Sequence, residues 1–310
     1  MMNARGLVTC GAILLALARS PPSFAAETFS VATYNLENYL DEPTGHRQPK
    51  SEAARAKIRE SFRAMRPDVV ALQEMGNTNA LLELRASLKS DGLDFPYWEH
   101  VSGFDTNIHV AVLSNLPIVA RRPHTNEVFL LNGRRFHVSR GFAEVDIQVN
   151  THYKFTLVAA HLKSRREVPE ADEAELREQE AIVLREIIDA RLRTNPNVNL
   201  IVLGDFNDLK DSRSVRTVIG RGKNTLIDTR PAERDGEDPN ALNGHGAPRN
   251  ITWTYYFAKE DTYSRIDYIL LNHGMAGEWQ TNGTYVLALP DWGAASDHRP
   301  IMASFVAEDR

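Results

Sequence analysis

One short apolar run that ends in a glycine, an acid and an amide constrains the fold of this chain most. Residues 198–203 are mainly Val, Ile and Leu, and Gly204, Asp205 and Asn207 follow them. Such a run predicts a buried strand, and side chains two residues apart at its end face the same way. This polar end could bind a water or a phosphate oxygen, or it could cap a turn. The segment therefore predicts a strand-built core and leaves two interpretations of its polar end.

The first 25 residues have the pattern of a secretory signal peptide. Arg5 precedes an apolar run at 7–18, and small residues follow as far as Ala25. The run is shorter than the roughly 20 residues that a membrane-spanning helix needs. We therefore expect cleavage after Ala25, a secreted or periplasmic protein, and no stable membrane insertion after cleavage. A membrane anchor is the alternative.

The remaining residues, 26–310, contain no cysteine and an excess of acids. The single cysteine, Cys10, lies inside the predicted signal peptide, so disulfides and thiolate sites are excluded from the mature chain. The whole chain has 36 basic and 41 acidic residues, and loss of Arg5 and Arg19 leaves 34 against 41, a net charge of −7. Such a chain does not attract polyanions by its overall charge. A phosphate ester substrate would need local cations and a metal ion.

Strands and helices are mixed along the chain without a repeat or a linker. Apolar alternation predicts strands at 28–34, 68–73, 108–114, 140–149, 154–160, 198–205, 251–257, 265–271, 284–289 and 300–306. Amphipathic spacing predicts helices at 51–66, 79–90, 170–193 and 212–220. The stretch 230–250, rich in Gly, Pro, Asp and Asn, predicts a long loop. We expect a single α/β domain over 26–310, with two mixed sheets covered by helices rather than one parallel barrel.

Five other predicted strands begin or end with polar residues in the same way. These residues are Asn35 and Glu37, Gln73 and Glu74, His161, Arg265 and Asp267, and Ser296, Asp297 and His298. Each has a structural alternative, such as a turn cap, a helix start or an ion pair. Buried carboxylates are costly unless they are paired or bound to a metal, so six such ends together favour one catalytic site. Carboxylate and amide oxygens suit Mg²⁺, and a histidine positioned by an aspartate can accept a proton from water.

These segments, taken in order, resemble the endonuclease/exonuclease/phosphatase superfamily, whose members have the DNase I-like fold. The matching segments are 33–38, 73–74, 161–164, 204–207, 265–268 and 296–300, within a resemblance that spans about 28–306. The resemblance implies a four-layer α/β sandwich, in which two mixed β-sheets pack face to face and are flanked by helices. Members cleave DNA, RNA, sphingomyelin, inositol phosphates and nucleotides, so the resemblance implies phosphate ester hydrolysis without choosing a substrate.

The resemblance also implies a metal site. Glu74 would be the principal Mg²⁺ ligand, with Asn35 beside it, and Mn²⁺ or Ca²⁺ could take the place of Mg²⁺. Glu37 lies where some members have a further acidic ligand. Asp297 would take part through the metal or through the attacking water.

The catalytic roles that the resemblance implies fall on five residues. Asp267 and His298 would form an Asp–His dyad, and His161 and Asn207 would donate hydrogen bonds to the scissile phosphate. Asp205 would orient or deprotonate the attacking water. Members differ on whether the residue at His298 or that at Asp205 is the general base, so both remain candidates here.

Basic and aromatic residues elsewhere in the sequence have two interpretations. Arg140 and Lys163 could contact the substrate phosphate. Arg121 and Arg122 could line a phosphate groove or belong to the solvated surface. Trp253, Tyr255 and Tyr256 could stack on bases. However, Trp253 and Tyr255 alternate as core strand residues do, so we expect most of the three in the core.

We therefore expect a secreted, monomeric, Mg²⁺-dependent phosphodiesterase, with an endonuclease-like activity on DNA or RNA as the leading hypothesis. A phospholipid head group or a small phosphate ester is the alternative substrate. A phosphate-binding module without catalysis is the alternative class of protein, and it is disfavoured because every site position holds a competent residue.

Overall fold

The computed structural model of the chain describes residues 27–234 and 252–310. The predicted signal peptide, residues 1–25, lies outside the described residues, as does most of the predicted loop at 230–250. In the described ranges no helix has both the length and the apolar character to cross a membrane.

Five α-helices and seventeen strands make up the described ranges. The helices are α1 (Glu52–Met65), α2 (Thr78–Ser90), α3 (Glu173–Thr194), α4 (Arg213–Ile219) and α5 (His273–Glu278). The first nine strands are β1 (Thr28–Tyr39), β2 (Val69–Met75), β3 (Tyr97–Val101), β4 (His109–Ser114), β5 (Ile118–His124), β6 (Val128–Leu131), β7 (Arg134–His137), β8 (Phe142–Gln148) and β9 (Lys154–His161). The others are β10 (Leu200–Asp205), β11 (Ile227–Asp228), β12 (Ala232–Arg234), β13 (Tyr255–Phe257), β14 (Thr262–Ser264), β15 (Asp267–Leu271), β16 (Trp279–Leu287) and β17 (Ile301–Val306).

Two large mixed sheets form the body of the fold. The first sheet has seven strands in the order β12-β16-β17-β1-β2-β4-β3, and the second has six in the order β11-β15-β10-β9-β8-β5. Each contains a parallel pair, β1 with β2 and β9 with β10, flanked by antiparallel neighbours. Because parallel strands end at the same edge of a sheet, the polar ends of these four strands lie in pairs.

Three apolar layers hold the two sheets and the helices together. Alternate residues of β1, such as Phe29 and Val31, pack with the inner face of the second sheet. Ala32 and Tyr34 point the other way and pack with α1 and α2. A third cluster buries α3 and α4 against the outer face of the second sheet. The predicted four-layer α/β sandwich is confirmed.

At one end of the sandwich the inward-facing positions change from apolar to polar. On β1 the alternation that begins with Phe29 and Val31 in the core continues to Asn35, which is buried. The same alternation leads to His161 at the end of β9 and to Asp205 at the end of β10. The core between the sheets therefore ends in a layer of buried polar side chains.

The helix α3, which covers this end, starts where its capping residues place it. Asp172 accepts hydrogen bonds from the backbone N–H groups of Ala174 and Glu175, which satisfies donors that have no partner within the helix. Acidic side chains occupy the first turn and Arg191 and Arg193 the last, in keeping with the helix dipole. The helix therefore begins at Glu173, three residues after its predicted start.

The structure differs from the predicted elements around the 230–250 stretch. The predicted loop begins with β12, which pairs in parallel with β16. The predicted strand 251–257 is a described strand only over β13, which forms a two-stranded hairpin with β14 and joins neither large sheet. Apolar alternation predicts an extended chain, but the partner strand depends on contacts that the local pattern does not contain.

Candidate active site

Gly204 brings the ends of β9 and β10 together. Its φ of +134° is disfavoured for residues with a side chain, and a Cβ atom there would overlap the carbonyl oxygen of Ala160. With only a hydrogen at this position the two strands stay in register, and Asp205 lies directly beside His161. Close packing of the two backbones therefore requires a glycine at position 204.

Asp205 is the centre of the polar layer. It is fully buried, and its Oδ2 accepts a hydrogen bond of 2.9 Å from Asn35 Nδ2, which crosses from one sheet to the other. The same oxygen lies 3.5 Å from His161 Nε2 and 3.7 Å from His298 Nε2. Its Oδ1 accepts from the backbone N–H of Asn207 at 2.8 Å. Four residues predicted from the sequence thus contact this one carboxylate.

Asp205, Asp267 and His298 form what we call the buried cluster. Asp267 Oδ2 lies 2.9 Å from His298 Nδ1 and also accepts from the hydroxyl of Thr254 at 2.6 Å. Burial alone would lower the pKa of His298, but Asp267 and Asp205 outweigh it and hold this pKa well above its usual value. Burial raises the pKa of Asp205 to about 7, against the opposing effect of His298 and with a further rise from Asp267. The cluster therefore holds a charged imidazole beside a carboxyl that can exchange a proton near neutral pH.

Glu37, Glu74 and Asp297 form a second group, the acidic rim, at the partly exposed edge of the same site. Burial raises the pKa of Asp297 to about 6, and the charges of Glu37 and Glu74 raise it further against the effect of His298. Asn35 adjoins the rim, because its Oδ1 accepts from the backbone N–H of Glu37 at 2.9 Å. Lys50 lies 3.1 Å from Glu37 Oε2, so part of the negative charge of the rim is compensated. Carboxylate and amide oxygens of this kind are ligands that Mg²⁺ takes.

Unusual backbone conformations shape the rim. Glu37, Asn38, Glu74 and Asn207 have φ between 47° and 61°, in the left-handed region that residues with side chains rarely adopt. At Glu74 this conformation accompanies a shift of register between β2 and its neighbours. Glu74 Oε2 then accepts from the N–H of Asn38 at 3.1 Å and lies 3.4 Å from Arg47. Such strain concentrates at functional sites because the surrounding structure must support it.

The buried cluster also has the spacing of a metal site. The ligand atoms of Asp205, Asp267 and His298 lie within 4.8 Å of one another. However, their oxygens already accept hydrogen bonds from Asn35 and Thr254, and the raised pKa of His298 favours an imidazole that carries a proton. The charges of Glu37 and Glu74 act on Asp297 at the rim, so both the rim and the buried cluster hold carboxylates that could bind a hard cation.

His161 and Asn207 lie beside Asp205 in the site. Burial, aided by the charge of Arg140, holds the pKa of His161 well below its usual value, so its imidazole is neutral. Within the described ranges its buried Nδ1 has no hydrogen-bond partner. Asn207 is partly exposed, and its Nδ2 donates to the carbonyl of Leu162 at 3.0 Å. Both side chains offer uncharged donor groups.

The two predicted phosphate contacts are placed differently. Arg140 is buried next to the 161–163 segment, with Nη1 3.4 Å from the carbonyl of Leu162, and its charge acts on His161. Lys163, in contrast, donates through Nζ to the carbonyls of Ser164 and Arg166. The structure therefore brings Arg140 to the site and ties the ammonium group of Lys163 to the backbone of the next loop.

Tyr255 is a residue of the site that the sequence pattern assigned to the core. Tyr255 and Trp253 are only partly buried, and the Tyr255 ring centroid lies 4.7 Å from that of His298. Burial raises the pKa of Tyr255 to about 12, and the nearby Asp297 and Asp205 contribute to the rise. The core prediction is wrong because this strand belongs to the hairpin β13–β14, which lies over the site. Nothing in the local sequence distinguishes these two environments.

The four-layer sandwich, with its polar layer at one end, defines a protein of the DNase I-like fold. The model of the Endonuclease/Exonuclease/phosphatase family matches residues 32–298, and the chain belongs to this family. No curated protein sequence matches the chain.

Solved structures share the fold at low sequence identity. Sphingomyelinase C from Streptomyces griseocarneus is 19% identical, with a TM-score of 0.58 over 90% of this chain and 100% of that chain. The human Nocturnin catalytic domain with bound sulfate is 15% identical, with a TM-score of 0.61 over 91% and 95%. Truncated Caenorhabditis elegans TDP2 is 16% identical, with a TM-score of 0.55 over 90% and 98%.

Proposed function

We propose that this chain is a secreted, metal-dependent phosphodiesterase that hydrolyses phosphate ester bonds with an activated water. The observation that supports this most is the meeting of the acidic rim with the buried cluster at the end of the sandwich. The carboxylates of the acidic rim suit a cation, and the buried cluster suits proton transfer. Membership of a family of nucleases and phosphatases supports the same reaction class.

Glu74, Glu37 and Asp297, with Asn35 beside them, would hold the metal ion. Mg²⁺ fits this set of oxygen ligands, and Mn²⁺ or Ca²⁺ could take its place. A bound ion would supply Lewis acidity to the phosphate. Its positive charge would also oppose the rise in the pKa of Asp297 that burial and the charges of Glu37 and Glu74 produce.

The protein's own side chains would move the protons. Asp205, whose pKa lies near neutrality, can accept a proton from the attacking water. His298 carries a proton that it can donate, and Asp267 fixes its orientation. His161 and Asn207 would donate hydrogen bonds to the negative phosphate oxygens, where fixed neutral donors stabilise developing charge.

A strand of DNA or RNA is the substrate that we propose first. The partly exposed ring of Tyr255 lies beside His298, where it could stack on a base. Arg165, which donates to the carbonyl of Asn207 at 3.2 Å, and Arg47 at the rim supply local positive charge. These cations would offset the overall negative charge of the chain, −5 at pH 7.

A phospholipid head group or a small phosphate ester is the second candidate. The likeness to a sphingomyelinase C over the whole length of that protein favours it. A panel of plasmid DNA, RNA, sphingomyelin and bis(p-nitrophenyl) phosphate, each with Mg²⁺, Mn²⁺ or Ca²⁺, separates the two. We expect metal-dependent nicking of the plasmid, and turnover of sphingomyelin alone would select the second candidate.

Two variants and their matched controls tie the activity to the site. Glu74→Gln and His298→Ala should each abolish most turnover, whereas the exposed residues Glu175 and His152 should tolerate Glu175→Gln and His152→Ala. Equal activity in all four proteins would refute the proposed site. Tight binding of a phosphate ligand without turnover in the wild type would instead indicate a binding module.

Secretion forms a separate part of the proposal and rests on the pattern of residues 1–25. Protein recovered outside the cytoplasm should begin at Ala26 when its N-terminus is sequenced. A protein that keeps Met1 and stays in the cytoplasm would contradict secretion and leave the enzymatic proposal intact.

A further inference from the structure

Helix α3 carries two charged residues on its buried face. Arg177 is 3% exposed and Glu180 is 1% exposed, although most of this face is apolar. Burial raises the pKa of Glu180, and hydrogen bonds from Ser139 together with the charge of Arg140 act against this rise. Buried charges are costly unless other groups compensate them closely, so the partners of this pair show what they hold in place.

Both residues bind the same short segment, the end of β9 and the two residues after it. The N–H of Lys163 donates to Glu180 Oε2 at 2.6 Å, and the carbonyl of Lys163 accepts from Arg177 Nη1 at 3.2 Å. The other oxygen of Glu180 accepts from the backbone N–H and the hydroxyl of Ser139, at 2.8 and 2.6 Å. Arg177 Nε donates to Asp208 Oδ2 at 3.1 Å.

Each of these contacts is made one or two residues away from a side chain of the candidate site. Ser139 precedes Arg140, Asp208 follows Asn207, and Lys163 is two residues after His161. The intervening Leu162 completes the connection. Its N–H donates to the carbonyl of Asp205 at 3.0 Å, and its own carbonyl accepts from Asn207 Nδ2 and Arg140 Nη1.

We propose that Arg177 and Glu180 are positioning residues that fix Arg140, His161 and Asn207 relative to one another. The inference rests on the proposed function, since it assigns these three side chains to the phosphate. A fixed arrangement of donors stabilises charge without reorganisation, whereas small displacements are costly. Both oxygens of Glu180 accept hydrogen bonds from N–H or O–H groups, and a carboxamide would place an NH₂ group against one of those donors.

Glu180→Gln tests this role against Glu175→Gln, which removes the same charge from an exposed position on the same helix. With bis(p-nitrophenyl) phosphate we expect kcat to fall about 10- to 100-fold in Glu180→Gln, KM to change less than kcat, and the control to match the wild type. Unchanged kcat in folded Glu180→Gln would overturn the proposal.

A double variant separates positioning from general damage. If Glu180 acts partly through His161, then Glu180→Gln should lower kcat less in the His161→Ala background than in the wild type. An equal loss in both backgrounds would overturn the inference. If Glu180→Gln does not fold, Arg177→Lys takes its place in the same experiments, because it keeps the charge and removes the forked guanidinium. Its control is Arg193→Lys, at an exposed position of the same helix.

Hydrogen exchange gives a readout that does not need turnover. The amide of Lys163 donates to Glu180, so peptides that contain residue 163 should exchange faster in Glu180→Gln than in the wild type. In Glu175→Gln their exchange rate should equal that of the wild type. Unchanged exchange would show that Glu180 does not hold the Lys163 amide, and would refute the positioning role even if kcat fell. If the wild type cleaved none of the substrates while exchange responded as expected, the proposed function would fail and the contact would stand.

Discussion

Two carboxylates buried in the same six-stranded sheet have opposite electrostatic environments. Glu144 on β8 is 2% exposed and Asp205 on β10 is 0% exposed. Glu144 pairs with Arg122 at 2.7 Å and with Arg191, and it lies 3.0 Å from a nitrogen of His124. Burial alone would raise its pKa, but His124 and Arg122 outweigh burial and lower the pKa to about 2. Among the described residues no guanidinium pairs with Asp205, and burial raises its pKa to about 7.

The difference shows that the partners, and not burial, decide what a buried acid does. Glu144 is permanently charged and joins α3 to the edge of the second sheet through Arg122 and Arg191, so its network stabilises the fold. Arg122, which could have lined a phosphate groove, belongs to this network. Asp205 is surrounded by another acid and by imidazoles, which stabilise its charge less and leave it reactive. Perturbation of this kind is typical of functional sites.

The largest effect should come from replacing the reactive acid. Asp205→Asn should lower kcat/KM by roughly 10³-fold, in the range for loss of a general base. The temperature of unfolding should fall less than in Glu144→Gln, because removal of a buried charge offsets the loss of an acceptor for Asn35 or Asn207. Steady-state kinetics and calorimetry on the same preparation check both statements. A clear loss of stability with activity retained would show that Asp205, like Glu144, is a structural and not a reactive acid.

Glu144→Gln should have the opposite profile. Removing one member of a buried ion pair leaves its partners without a counter-charge. Because Arg122 and Arg191 are partly exposed, water compensates part of this cost, and we expect a loss of about 1–3 kcal/mol of unfolding free energy. The kcat/KM should stay within about two-fold, since the ion-pair partners of Glu144 among the described residues are Arg122, Arg191 and His124, which lie outside the candidate active site. Denaturant titration measures the loss, with Glu186→Gln, an exposed position on α3, as the control. A large fall in activity would show that the two acids are coupled.

A smaller effect should follow from loosening Asp267 within the buried cluster. Thr254→Val removes the hydroxyl that donates to Asp267 Oδ2 and that accepts from the N–H of Asp267 at 3.2 Å. We expect kcat to fall about ten-fold, because hydrogen bonds to charged groups contribute about 1.5–3 kcal/mol and part of this is recovered by rearrangement. Thr254→Ser should restore the rate. A rate equal to wild type in Thr254→Val would show that the Thr254 hydroxyl does not contribute to catalysis.

The pH dependence of stability should have opposite signs for the two acids. The folded pKa of Glu144 is below its usual value of 4.5, so its contribution is present above pH 4.5 and is lost as the pH falls toward 2. The folded pKa of Asp205 is above its usual value of 3.8, so its protonation stabilises the fold below pH 3.8, and this contribution is lost as the pH rises through 7.

Unfolding free energies at pH 3, 5 and 7 check these signs. The deficit of Glu144→Gln relative to wild type should be smaller at pH 3 than at pH 5, and the pair with His124, whose pKa Glu144 helps to raise, should make it no larger at pH 7 than at pH 5. The stability of Asp205→Asn relative to wild type should increase from pH 5 to pH 7. A deficit of Glu144→Gln that did not change with pH would contradict the paired state of Glu144.

The sequence predicts the polar end of the sandwich well because that end obeys a simple local rule. Apolar alternation gives the direction of each side chain, and residues such as Asn35, His161 and Asp205 continue the inward-facing series. Gly204 marks the point where two strands approach most closely. Each of these statements needs only the period of a strand and the identity of its last residues.

The parts that could not be predicted depend on partners distant in the sequence. Arg177 and Glu180 look like residues of the solvated face of an amphipathic helix, and contacts with Lys163, Ser139 and Asp208, distant in the sequence, explain why they are buried. Tyr255 alternates like a core residue because the pattern does not say which sheet, if any, a strand joins. β12 was hidden in a polar stretch because its partner, β16, begins 45 residues later.

The distribution of the site over both sheets has a consequence for the synthesis of the protein. Asn35 on β1 and Asp205 on β10 are joined across the sandwich, and His298 lies three residues before the start of β17. β17 lies between β16 and β1, so the first strand lacks one neighbour until the last strand has been made. The site therefore cannot assemble before His298 and β17 have been synthesised, and recovery of activity after denaturation should follow the final docking of the sheets rather than the formation of either one.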